Sequence, residues 1–167
     1  MMRKPAIVLL LAVSLLVGAC GKFSLFGRPA KPPVSESIET NTVKNGPLAL
    51  TIELPKRRFA AGEDISLRII AHNTGKQAIA FESSTSALYK VTLYRMTSSG
   101  WRWVNQYPQS VMSVRKTWKL QPGQSVKYSQ IITVGRDWPM DEALKMVVEL
   151  VGAPDLKCPM IISATAK

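Results

Sequence analysis

Histidine and cysteine are nearly missing from this chain of 167 residues, which holds one of the former and two of the latter. A hydrolytic triad needs a base held beside a nucleophile, and His72, next to Asn73-Thr74-Gly75, reads as a solvated turn residue instead. So few imidazoles and thiols give no metal-ligand spacing, and neither metal nor cofactor is expected. Acidic residues are scarce as well, 11 against 22 basic. Where two acids adjoin, as Glu63 with Asp64 and Asp141 with Glu142, they fall at turn positions, and nothing places either pair in a cleft. There is no glycine loop of the kind that cradles phosphate. These shortages together argue against an enzyme.

A long membrane-spanning run is also missing. The N-terminal apolar stretch, residues 6–17, has 12 residues, whereas crossing about 30 Å of hydrocarbon takes roughly 20 in a helix. With Arg3 and Lys4 ahead of it and small residues behind, it reads as a secretion signal. Val17-Gly18-Ala19-Cys20 resembles the bacterial lipobox, in which small side chains admit extended backbone to a peptidase while a thiol is presented to lipid. The resemblance implies cleavage before Cys20, a diacylglycerol thioether on its sulfur and an acyl chain on its nitrogen. Each buried methylene contributes about 0.8 kcal/mol, so two or three chains hold a protein where one holds it marginally. The expected location is the cell envelope. Gly21 stands where an Asp would resemble an inner-membrane retention signal, which points to the outer membrane facing the periplasm in a diderm, and otherwise to the outer face of the cytoplasmic membrane.

Lipidation of Cys20 leaves Cys158 without a partner in its own chain, either as a buried small hydrophobe or as an intermolecular thiol. Its place between Leu156 and Met160 favours burial. Removing residues 1–19 takes away Arg3 and Lys4 and no acid, leaving 20 basic against 11 acidic residues. Such a surface favours anionic neighbours, whether lipid headgroups, envelope polymers or an acidic protein, or it is simply solvated. Nucleic acid is not expected, because export separates the protein from it and the basic residues are scattered.

Residues 20–46 are rich in Pro, Ser and Asn, and read as a lipidated N-terminus and flexible linker. Phe23, Leu25 and Phe26 follow the lipid site, where they either dip into the interface or are incidental. Residues 47–167 form one domain's length, and their texture is β. Leu48, Leu50, Ile52 and Leu54 alternate until Pro55; Ile65, Leu67, Ile69 and Ala71 repeat the pattern before Asn73-Thr74-Gly75-Lys76. Tyr89, Val91 and Leu93 lead through Ser98-Ser99-Gly100 into Trp101-Arg102-Trp103-Val104, a hairpin signature. Gln121-Pro122-Gly123-Gln124 has the residues of a type II turn, and Val126, Tyr128, Gln130, Ile132 and Val134 follow with period two. For residues 144–150 a helical stripe competes with an alternating strand, and the all-β setting selects the strand. A final strand is expected over residues 160–163, at an edge because Pro159 donates no ladder bond. This spacing predicts an all-β, immunoglobulin-like antiparallel sandwich of about seven or eight strands.

His72-Asn73-Thr74, the tryptophan strand after Gly100, Leu120-Gln121-Pro122-Gly123-Gln124-Ser125 and Tyr128, taken in order, resemble the BsuPI domain, an intracellular proteinase inhibitor. The likeness spans residues 50–132 and implies an immunoglobulin-like sandwich. Asp141-Glu142-Ala143-Leu144-Lys145-Met146 replaces a late Gly-x-Tyr strand of that family. An exported protein does not meet a cytoplasmic proteinase, and a fold does not determine a function.

Trp101, Arg102, Trp103, Tyr107, Arg115, Lys116 and Trp118, with Lys119, crowd within twenty residues. Strand alternation places Trp101 and Trp103 on one face, so one reading buries both with Arg102 outside. The other exposes rings beside Arg115 and Lys116 as anchors for a protein or for envelope sugars. Tyr107-Pro108-Gln109 and Trp138-Pro139-Met140 are read as contributing loop tips. The expected role is a non-catalytic, lipid-anchored module that binds a protein; the alternatives are proteinase inhibition through residues 105–110 and glycan binding.

Overall fold

The computed structural model describes residues 37–166. Cys20, Phe23, Leu25, Phe26 and the segment read as a signal lie outside the described residues. Within them are eleven strands: β1 (Glu39–Asn45), β2 (Leu48–Leu54), β3 (Arg58–Ala60), β4 (Asp64–Asn73), β5 (Ile79–Thr85), β6 (Tyr89–Thr97), β7 (Gly100–Tyr107), β8 (Ser113–Leu120), β9 (Ser125–Thr133), β10 (Ala143–Leu150) and β11 (Ala153–Thr165). They make a four-stranded sheet, β1-β2-β4-β9, a five-stranded sheet, β3-β11-β10-β6-β7, and a two-stranded pair, β5-β8. All pairings between strands are antiparallel except β3 with the last residues of β11.

Alternation places the core. On β4, Ile65, Leu67, Ile69 and Ala71 are buried while Asp64, Ser66 and Arg68 are exposed, and on β10 Leu144, Met146, Val148 and Leu150 are buried in the same rhythm. These rows belong to one apolar cluster filling the sandwich between its two larger sheets. Each fully buried Leu or Ile contributes about 1.5–3 kcal/mol, and a slip of one residue in either strand would turn the whole row out to water.

The structure moves two boundaries and the strand count. β1 lies inside the segment expected to be linker, paired residue by residue from Glu39 opposite Leu54 to Asn45 opposite Leu48, so the fold begins before residue 47. Its own residues are mostly polar, which hid it: as a sheet-edge strand it lends only Val43 to the core. The strand count is eleven rather than seven or eight, because β1, the three-residue β3 and the polar β8 give weak apolar signals. β11 is far longer than residues 160–163, and its end lies between β10 and β3. Pro159 nonetheless sits where β10 is the strand's only ladder partner, as a residue without an N–H requires.

Three turns meet around Asn73, which is fully buried. Its side-chain amide donates to the carbonyls of Gln77 (2.8 Å) and Leu120 (3.0 Å), and its Oδ1 accepts from Gly75 N–H at 2.9 Å. Its backbone N–H donates to Gln124 O, and its carbonyl accepts from Gly123 N–H, both at 2.9 Å. Gly123 has φ +73°, as the third residue of a type II turn must, and Gln124 N–H donates to Gln121 O at 3.0 Å. That turn joins β8 of the small pair to β9 of the four-stranded sheet, so it carries the chain between sheets. Thr74 N–H closes the group by donating to Pro47 O at 2.7 Å.

Replacing Asn73 with Ala strands the Leu120 carbonyl in a buried site, and the Gln77 carbonyl and Gly75 N–H in partly buried ones. Each orphaned group costs about 1–3 kcal/mol; Asn73→Ala is expected to lower unfolding stability by roughly 2–4 kcal/mol, seen as a lower urea midpoint at unchanged slope.

Candidate functional site

β7 carries four of the residues singled out in the sequence, and a bulge decides where they point. Asn105 stands opposite Leu93 and Trp103 opposite Tyr94, so Val104 is an extra residue in the ladder. Leu93 faces the core and Tyr94 faces out. Unbroken alternation would carry Tyr107, Asn105, Trp103 and Trp101 along one inward face; Val104 instead swings both tryptophans to the outer face. Trp103 is 62% exposed and Trp101 half-buried, which corrects the reading that buries both.

On that outer face, register aligns Trp103, Tyr94, Lys145 and Ile161 in a row across β7, β6, β10 and β11. Trp101 and Met96 sit side by side in the next row toward the hairpin tip. The Lys145 ammonium lies 4.5 Å from the centre of the Trp101 ring and 5.5 Å from that of Tyr94, within cation–π range. Arg102 occupies the opposite face of the hairpin directly across from Arg95. Both are exposed and neither has a carboxylate partner among the described residues; Arg102 donates only to Ser99 Oγ, at 3.2 and 3.1 Å.

The other three residues belong elsewhere. Arg115, Lys116 and Trp118 are on β8, paired with β5 and not with β7, so the crowding along the chain is not one patch in space. Arg115 forks onto Glu82 Oε2 at 3.0 and 2.6 Å, an exposed ion pair of small energetic weight. Lys116 Nζ lies 6.0 Å from the Trp118 ring, which turns its edge to Tyr128 at 6.4 Å. Tyr128 in turn contacts Tyr89 at 5.4 Å. Burial, and then the charge of Tyr89, push the Tyr128 phenol up to about 12. Trp118 is therefore a packing residue bridging the small pair to the sandwich.

Tyr107 closes β7 on an open side of the molecule. β7 and β9 end their respective sheets, and among the described residues each has a single ladder partner. Between them runs a cleft of about 510 Å³ reached by Asn105, Tyr107, Gln130, Ile131 and Asp137. Asn105 Nδ2 donates to Tyr107 OH at 3.1 Å, and Tyr89 OH donates to Gln130 Oε1 at 3.0 Å. Burial, with Asp137 adding to it, raises the Tyr107 phenol above its ordinary range, while a hydrogen bond with Trp138 opposes the shift. Ile131 on β9 is 63% exposed at the cleft's rim. Sequence reasoning missed this side, because an edge is a property of pairing order and leaves no mark in composition.

Several other expectations resolve. Trp138 is not a loop tip but a core residue, 4% exposed. Cys158 is fully buried, its thiol directed to the Asn41 carbonyl at 3.4 Å and pushed by burial up to about 11, which suits a packing role. His72 lies within β4 rather than in a turn, hydrogen-bonded to Ser125 Oγ at 2.8 Å. Glu63 pairs with Lys56 at 2.5 Å and accepts from Ala60 N–H, and Asp64 accepts from Thr133 Oγ1 at 2.7 Å. Among the described residues no group of three His, Cys, Asp or Glu side chains is placed to hold a metal ion. No described helix is long and apolar enough to cross a membrane.

The contrast between tryptophans is measurable. Trp103→Ala removes a ring standing in water and should change stability by no more than about 0.5 kcal/mol, whereas Trp138→Ala empties a core site and should cost about 3–5 kcal/mol. Chemical denaturation of the two variants side by side reads the difference.

No family model matches the sequence, and no curated protein does. Among solved structures, the sporulation control protein Spo0M from Bacillus subtilis aligns with a TM-score of 0.50 at 15% identity, over 74% of this chain and 51% of that one. A β-glucosidase from Listeria innocua aligns at 0.42 and 14% identity, over 77% of this chain and 16% of that one. A cycloisomaltooligosaccharide glucanotransferase from Paenibacillus gives 0.45 and 10%, over 68% and 13%. The chain thus spans about half the length of Spo0M and a small part of the two enzymes. The likeness to Spo0M concerns the β-sandwich fold alone.

Proposed function

We propose that this is a lipid-anchored envelope protein, held by acyl chains on Cys20, whose BsuPI-like sandwich binds an extended segment of a protein partner along its open side and catalyses nothing. The carrying observation is the pair of unpaired edges, β7 and β9, flanking one cleft. An edge strand offers a row of free N–H and C=O groups, and a peptide adding to it gains ladder bonds while neighbouring pockets choose among side chains. Asn105, Gln130 and the Tyr107 hydroxyl supply polar contacts in the cleft, and exposed Ile131 supplies an apolar one. The basic balance that remains after residue 19, 20 basic against 11 acidic residues, favours an acidic partner.

The test is site-specific photo-crosslinking of the full chain in its native membrane. A probe at Asn105 should give one discrete protein adduct that Ile131→Lys reduces, and a probe at Lys44 on the far edge strand should give none. Mass spectrometry of the same preparation should find acyl groups on Cys20 as the first residue. Equal labelling from both probe positions would remove the edge from consideration.

A second reading has its own observation. Residues 108–112 are fastened at their end, where Met112 N–H donates to Ser86 Oγ at 3.0 Å and Ser86 N–H donates to Met112 O at 2.8 Å. Met112 remains 69% exposed. A held loop with an apolar tip is what a proteinase active site accepts from an inhibitor. Residues 105–107, expected in that loop, belong to β7 instead. If this reading holds, micromolar protein slows at least one envelope proteinase and Met112→Glu relieves the inhibition; a full panel left unaffected removes it.

A further inference from the structure

The hairpin joining β6 to β7 has two unlike faces at its tip, and neither is explained by the fold. One carries Met96 and Trp101, followed by Tyr94 and Trp103. The other sets Arg95 directly opposite Arg102. Like charges at opposed positions on neighbouring strands are destabilising, and no carboxylate of the described residues offsets them. Among the described residues Arg58 on β3 and Lys145 on β10 are in none of the ion pairs, and neither are Asp141 and Glu142 just ahead of β10.

Register also places the start of the fold here. Glu39, the first residue of β1, accepts from Arg57 Nε at 2.7 Å. The Arg57 carbonyl accepts from Ser163 N–H at 2.8 Å. Ser163 lies opposite Ala143, and the next residue, Leu144, lies opposite Arg95. Glu39, where the first described strand begins, therefore lies at the same end as the arginine pair and the exposed rings. Eighteen residues separate Cys20 from Glu39, and a chain of that length at coil dimensions spans roughly 23 Å.

We infer that the β6–β7 tip and the outer face beside it form a docking surface for anionic phospholipid headgroups, which lays this end of the sandwich against the bilayer; the inference rests on the lipid-anchor reading given under Proposed function. Indole and phenol rings with an apolar body and a polar edge settle at headgroup level. Each nearby Lys or Arg adds attraction to an anionic leaflet that fades within a Debye length. The ring of Trp101 lies against an ammonium, Lys145, and the guanidinium ions of Arg95 and Arg102 occupy the other face of the same tip. A sugar-binding platform would instead need carboxylate and amide acceptors around the ring, so the chemistry favours phosphate over glycan. The surface is separate from the β7–β9 cleft, which leaves the open side accessible to a protein while the tip touches lipid.

The experiment uses the full chain purified from membranes and reconstituted into vesicles with brominated acyl chains, made either of phosphatidylcholine alone or with added phosphatidylglycerol. Subtracting the emission of a Trp103→Phe variant isolates the Trp103 contribution. With phosphatidylglycerol that contribution should shift to the blue and be quenched, and the effect should disappear in 1 M salt, where the Debye length is about 3 Å. A double variant, Arg95→Glu with Arg102→Glu, should lose it as well while keeping its near-ultraviolet circular dichroism. Trp103 emission that is the same in both kinds of vesicle, in a chain whose Cys20 carries acyl groups, overturns the surface and leaves the anchor standing. A chain without acyl groups that still shows phosphatidylglycerol-dependent quenching upholds the surface and removes the anchor. A blue shift produced by soluble peptidoglycan fragments and not by phosphatidylglycerol gives the face to glycan and overturns the proposal.

Discussion

The architecture depends on one buried amide. Asn73 spends its side-chain donors and acceptor, together with its backbone N–H and carbonyl, on two turns, and its neighbour Thr74 ties in a third at Pro47. A side chain of this kind satisfies in one place the carbonyls that a sheet leaves unpaired where its strands end. Without it the passage from β8 to β9 would be held against the β4–β5 turn by the backbone bonds of residue 73 and the His72–Ser125 contact alone. Apolar burial supplies most of the free energy that folds the chain, but it is indifferent to how the strands are wired. The Asn73 node is where the wiring becomes specific.

That node also gives physical content to the motifs that stood out in the chain. His72-Asn73-Thr74 and Leu120-Gln121-Pro122-Gly123-Gln124-Ser125 lie about fifty residues apart, yet in space they are two halves of one hydrogen-bonded contact. Their joint presence is what a sequence must keep if it is to hold this corner together. The periodic strands β2, β4, β6 and β10 were legible for a simpler reason. β4 and β10 bury every second residue, and β2 and β6 do so over part of their length, so alternation in composition follows alternation in burial. β1 and β8 were hard to see because an edge or a peripheral pair buries little, and the polar residues that fill them carry no rhythm.

The aromatic strand shows where such reading stops. Period two along Trp101, Trp103, Asn105 and Tyr107 is a correct statement about a regular strand, and β7 is not regular. Nothing in the composition of Trp-Val-Asn marks Val104 as surplus; the bulge shows only in the pairing, where Asn105 meets Leu93 and Trp103 meets Tyr94. In the same way, the seven aromatic and basic residues that crowd along the chain divide between β7 and β8 once the pairing is known. Proximity in sequence was a poor guide because consecutive strands here belong to different sheets.

β1 has a mechanical meaning that its modest burial conceals. It is the first of the described strands, and a pull transmitted along the chain from residues ahead of Glu39 reaches this strand before the others. Its seven ladder positions with β2 lie along the strand axis, so a force applied along that axis loads them together in shear instead of peeling them one by one. Asn41 adds rivets to the opposite sheet, donating from Nδ2 to the Pro159 carbonyl and accepting from the Cys158 thiol. A strand stitched to both layers spreads tension through the whole body, and a protein moored at one end to a moving surface would keep its shape under drag for that reason.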